Sequence, residues 1–152
     1  METRGRIPAP PPLLVRRAIP ACEQDVVRLL REVPVDPPEV AALMLQRAVL
    51  VLSDVTLPPA APPVAAAAFR FDRPAKTAQL VGIGVAAPLR RRGLGRRLLT
   101  GALMLLRAEG FERVHACAVP GGAPSALLAD AGFAVDEDTA QAGGRGRFLL
   151  RL

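Results

Sequence analysis

At 152 residues the chain is the size of one domain, and a core of that size buries about 70% of the unfolded surface without covalent staples. Two cysteines, Cys22 and Cys117, and a single histidine, His115, are too few for a disulfide framework or a Cys/His zinc cluster, and no apolar run reaches the roughly 18 residues of a membrane span. The formal net charge of +6 is almost wholly arginine, with Lys76 the only lysine, which admits a phosphate-bearing partner of some kind.

Residues 1–12 are polar and proline-rich and read as an extended arm, with the remainder, 13–152, as one domain. Pro8 and Pro10–Pro12 interrupt any apolar leader there, so a soluble, cytoplasmic protein is expected. Leu13–Ile19 reads as a strand. Pro20 opens a helical stretch with Val26, Val27, Leu29, Leu30 and Val33 at helical spacing, ended by Pro34. A second helix starts at Pro37-Pro38, where proline suits the first turn, and runs to Arg47. Ala48–Ser53 and Val64–Asp72 read as strands around a proline loop. Thr77–Ala86 is a further strand, interrupted by Gly82 and Gly84, whose presence signals a bulge or a close approach of backbone or ligand. Leu94–Ala108 is a helix with a broad apolar face, stopped by Gly110. Arg113–Val119 is a strand, Pro124 starts a short helix capped by Gly132, and Phe133–Val135 and Arg147–Leu152 are closing strands around a glycine-rich loop. Strands alternating with helices in the second half indicate an α/β domain.

The turn between Val85 and Leu99 is the most informative stretch. A strand ends, Arg90-Arg91-Arg92-Gly93-Leu94-Gly95 follows, and an apolar helix begins. Unpaired N–H groups and the helix dipole make such a terminus a ready anion site. The glycines permit unusual backbone angles there, and three arginines add positive potential. The ligand expected is a phosphate or pyrophosphate. No lysine follows these glycines as a P-loop demands, and no third glycine completes a dinucleotide fingerprint.

The arrangement resembles the coenzyme A site of the GNAT superfamily of N-acetyltransferases. Arg90, Gly93 and Gly95 match that family's Gln/Arg-x-x-Gly-x-Gly/Ala signature, and Gly132-Phe133 matches the step that ends its short fourth helix. The resemblance covers about residues 77–135. It implies a mixed, mostly antiparallel central sheet flanked by helices, of α/β (α+β) class, with a splayed cofactor strand pair. It also implies acetyl-CoA as acyl donor, transferring its acetyl group directly to a primary amine. Backbone groups at Ile83, Gly84 and Val85 would pair with the pantetheine arm, and an amide near Val85 would polarise the thioester carbonyl. The amides of Arg91, Arg92, Gly93, Leu94, Gly95 and Arg96 would hold the pyrophosphate.

Two positions depart from the family pattern. Leu128 stands where a tyrosine often protonates the departing thiolate, and the chain has no tyrosine; Gly121 replaces a common asparagine. Ser125, one helical turn before Leu128, is the candidate substitute acid, and His115 the candidate base, with Cys117 on its face. Asp136, Glu137 and Asp138 are a candidate attraction for a cationic amine. The 37–47 helix and the Asp136–Gly146 loop are expected to line the acceptor site. The acceptor is a small molecule or a peptide. The alternative is an acyl-CoA-binding module of the same fold, a sensor or partner domain without efficient chemistry. Nucleic acid is not expected, because five Phe with no Tyr or Trp leave little to stack on bases, and an exposed sheet edge is compatible with a homodimer.

Overall fold

The computed structural model describes residues 12–33, 35–118, 123–136 and 146–152. The proline arm therefore lies, but for Pro12, outside the described residues, as do Gly121 and the loop over 137–145. Seven strands form one sheet in the order β1-β2-β3-β4-β5-β7-β6: β1 Leu13–Arg17, β2 Val49–Asp54, β3 Ala65–Asp72, β4 Thr77–Val85, β5 Arg113–Ala118, β6 Ala134–Asp136 and β7 Gly146–Arg151. Every pairing is antiparallel except β4 with β5. The helices are α1 Glu23–Leu29, α2 Pro37–Leu45, α3 Leu94–Ala108 and α4 Ala123–Asp130.

The centre of the sheet is built from small and branched residues. Val49–Leu52 on β2 and Ala65–Phe69 on β3 are fully buried on both faces. Four consecutive alanines let helices approach from either side. Arg70 of β3 reaches out on one face and pairs with Glu39 of α2, its Nε donating to the carboxylate at 2.7 Å. On the opposite face Phe69 stacks with Phe71, which meets Phe111 just beyond α3 at 4.6 Å between ring centroids. Helix α2 starts where Asp36 accepts a hydrogen bond from the Glu39 amide at 2.9 Å, with Pro37 in the first turn. Helix α3 buries Leu98, Leu99, Ala102, Leu103 and Leu106, and lies so near β1 that a Cβ at Gly101 would overlap Val15.

The first helix is shorter than its apolar spacing predicts. It ends at Leu29, and Leu30–Val33 form a tighter turn. Proline at 34 disfavours α geometry at Val33, and the turn lowers Val33 onto Gly82, where a Cβ would overlap its side chain.

Strand β4 controls the site. It runs unbroken through both glycines, but its pairing with β3 slips: Ala68 faces Gly82 while Phe69 faces Leu80, leaving Val81 as a one-residue bulge. Its parallel pairing with β5 covers only Thr77–Leu80 against Arg113–Ala116. Beyond that rung the strands part. Val81–Val85 stay bonded to β3 on one side and have no strand on the other among the described residues.

Candidate functional site

The glycines of β4 serve the α1 side. A Cβ on Gly84 would overlap the carbonyl oxygen of Leu29, the last residue of α1. The close approach anticipated at these positions is thus made by the protein itself, by the Leu29 carbonyl at Gly84 and the Val33 side chain at Gly82. On the other side, towards β5, the edge of Val81–Val85 offers N–H and C=O groups that no strand takes up. An extended ligand backbone is the complement of such an edge.

The edge leads into the arginine–glycine turn. Arg91 and Gly93 both adopt left-handed backbone angles, φ 64° and 73°, the second as the cap residue of α3. Among the described residues, no backbone acceptor meets the amides of Arg91 through Arg96; the first satisfied amide is Arg97, which donates to the Gly93 carbonyl at 3.0 Å. Six free N–H groups at the positive end of a 15-residue helix form a strong anion cradle. A Cβ at Gly93 would touch nothing, so the open space above the turn fits a bulky anion. These residues therefore fit a pyrophosphate.

The arginines divide. Arg97 turns back to donate to the Leu13 carbonyl at 3.1 Å. Arg90 folds towards α1: its Nε donates to the Val85 carbonyl at 3.2 Å, and its Nη2 lies 3.6 Å from a Glu32 carboxylate oxygen. Arg91, Arg92 and Arg96 are exposed, with no acidic partner among the described residues.

Beside Arg90 lies a cavity of about 460 Å³ between α1, Pro62-Pro63 and the end of β4. Besides Arg90, its charged lining comes from Asp25, Arg28, Arg31 and Glu32, residues to which the sequence analysis gives no role. Their spacing of three and four on a helix was the available signal. Helix α2, expected to line the acceptor site, does not reach this cavity; only Pro37 borders a shallower hollow next to it.

His115 lies on β5, level with Gln79 of β4 and Leu149 of β7, one rung before the last paired rung. It is half-buried. That burial, and then the charge of Arg147, lower its pKa from the ordinary 6.5, so the ring is neutral at neutral pH. Cys117 is exposed on the same strand, opposite Arg147. Ser125 is buried on α4, and Leu128 is buried in the core. The α4 side chain that reaches the start of α3 is Leu127, 3.8 Å from where a Gly95 Cβ would sit. Of the acidic trio, Asp136 closes β6 opposite Arg147, and Glu137 and Asp138 lie outside the described residues.

Comparison with known proteins bears on this chain at the level of family and fold. The profile of the acetyltransferase (GNAT) family matches residues 48–133, more than half of the chain. The chain belongs to the GNAT acetyltransferase family. As a family member it is an acetyltransferase that takes its acetyl group from acetyl-CoA. No curated protein matches it in sequence. Among solved structures it is similar to N-acetylglutamate synthase from Neisseria gonorrhoeae complexed with coenzyme A and N-acetyl-glutamate, at 16% identity and TM-score 0.72, covering 92% of this chain but only 35% of that one. It is similar to the GNAT family N-acetyltransferase YhbS from Escherichia coli in complex with CoA, at 19% identity and TM-score 0.71, over 96% of this chain and 84% of that one. An IAA acetyltransferase from Bacillus cereus is 19% identical, with TM-score 0.66, over 92% of this chain and 99% of that one. At these identities the likeness is one of fold. Among the described residues, no helix is long and apolar enough to cross a membrane.

Proposed function

We propose that the chain, as one domain over 13–152, moves the acetyl group of acetyl-CoA directly to a primary amine. The observation that carries this reading is the free edge of Val81–Val85 running into six unpartnered amides at the start of α3. The pantetheine arm would pair with Ile83, Gly84 and Val85, and the pyrophosphate would sit on the amides of Arg91–Arg96. Arg91, Arg92 and Arg96 would supply charge around it. Bound acetyl-CoA supplies a thioester carbonyl to the splayed gap. His115, neutral at physiological pH, takes the proton from the acceptor ammonium, leaving a nucleophilic amine. No side chain need replace the missing tyrosine for turnover to occur, since a thiol of pKa roughly 8.5 leaves tolerably as thiolate. Ser125 is the one hydroxyl of α4, and returning a proton is the role proposed for it. Two free cysteines agree with a cytoplasmic location.

The test is calorimetric titration with acetyl-CoA, followed by a panel of amines at saturating cofactor with release of the coenzyme A thiol as readout. One-to-one binding and thiol release with an amine are expected. Tight binding without thiol release from any amine would leave a binding module in place of an enzyme.

A further inference from the structure

The cavity beside Arg90 carries an unequal set of charges. Three guanidinium groups, Arg28, Arg31 and Arg90, face two carboxylates, Asp25 and Glu32. Both carboxylates are taken: Arg28 lies 3.4 Å from Asp25, and Arg90 lies 3.6 Å from Glu32. Arg31 is left with no acidic partner among the described residues. It sits in the turn that follows α1 and borders both this cavity and the hollow of about 330 Å³ beside it. The rest of the cavity wall is apolar, from Leu29, Pro62, Pro63, Val85, Ala87 and Pro88. A guanidinium presents two parallel N–H groups, the complement of a carboxylate.

We propose that this cavity anchors the acceptor through a carboxylate on Arg31, so that the substrate class is small primary amines that also carry a carboxylate. The proposal rests on the acetyl-transfer reading given above. Three features support it. The cavity ends on Val85 and Ala86, where the free edge of β4 runs out. Its volume suits a compound of amino-acid or short-peptide size and not a folded protein. Arg28 and Arg90 already face Asp25 and Glu32, which leaves Arg31 as the lining guanidinium without a carboxylate among the described residues.

The experiment compares L-amino acids with their carboxamides as acceptors, in the wild-type protein and in Arg31→Gln. Arg31 is exposed, so the variant folds; a thermal melt checks that. In the wild type the acids are expected to exceed the amides in kcat/KM by about tenfold or more, mainly through KM. Arg31→Gln is expected to abolish that preference while leaving the amide rates unchanged. Amides equal to or better than acids, or a loss in Arg31→Gln shared by both, would overturn the proposal. If no amine is acetylated, the acetyl-transfer reading fails separately, and the anchor is then judged by binding. The coenzyme A-loaded protein is titrated with an N-acetyl amino acid and with its carboxamide. Binding of the acid alone, lost in Arg31→Gln, sustains the anchor; equal binding or none overturns it.

Discussion

The two halves of β4 differ in everything except their membership of one strand. Thr77–Leu80 is bonded on both edges, to β3 and to β5, and buries Ala78 and Leu80. Val81–Val85 begins with a bulge, keeps β3 on one edge only, and carries two glycines pressed by the end of α1. The first half is a sheet strand that stabilises the fold. The second keeps the strand conformation but has no strand on its other edge among the described residues. The change falls where the pairing with β3 slips and where the glycines admit Val33 and the Leu29 carbonyl behind the strand.

Four substitutions break or sharpen this contrast. The largest effect is expected at His115, beside the end of the paired half. His115→Gln should lower kcat by about 10²–10⁴-fold with acetyl-CoA binding unchanged, measured by thiol release. In the wild type, activity should hold as pH falls to 6.5 and decline only below it, since the folded pKa is depressed. The unfolded chain binds this proton more readily, so His115 stabilises the fold above pH 6.5, and that contribution is lost as pH falls through 6.5 towards the folded value. Next comes the brace: Gly84→Val drives a side chain into the Leu29 carbonyl and should cost about 3 kcal/mol of stability in a denaturant melt. Gly93→Val puts its Cβ where no protein atom lies within 4 Å, so its effect on stability tests the backbone angle. At φ 73° it should cost about 1–2 kcal/mol, or five- to thirtyfold in acetyl-CoA affinity if the turn relaxes to avoid the strain. Gly95→Ala is the smallest. Its Cβ finds ordinary contacts at 3.7 and 3.8 Å, and stability should change by less than about 0.5 kcal/mol, with cofactor affinity kept.

Local signals made most of the fold legible. The helix Leu94–Ala108 was readable to the residue from its apolar face and Gly110, and the strands were readable to within two residues at either end. The anion turn was legible because glycine and arginine at a strand-to-helix junction have a physical meaning by themselves. The cavity proposed for the acceptor was not. Arg31 and Glu32 lie in a turn whose helix stopped early, and their shared cavity exists only because Val33 and Leu29 settle on Gly82 and Gly84, some fifty residues away. The inward turn of Leu128 and the placement of Leu127 at the start of α3 likewise depend on tertiary packing, which spacing within α4 does not encode.

At the closed end of the strand pair, the Arg73 guanidinium lies 5.0 Å from the Phe71 ring centre and 5.7 Å from that of Phe111, and the Glu112 amide donates to the Lys76 carbonyl at 2.8 Å. Mechanically this is the spring of a clothes-peg whose jaws are the free ends of β4 and β5. Measured from Lys76 at the spring, the nine residues of β4 make a lever arm of roughly 30 Å at about 3.3 Å per residue, so a swing of about 3° there moves its tip by about 1.6 Å. Misplacement by about 1 Å can slow a reaction about 10²-fold. The packing of two phenylalanines and an arginine thus lies at the end where small angles are multiplied along the strand.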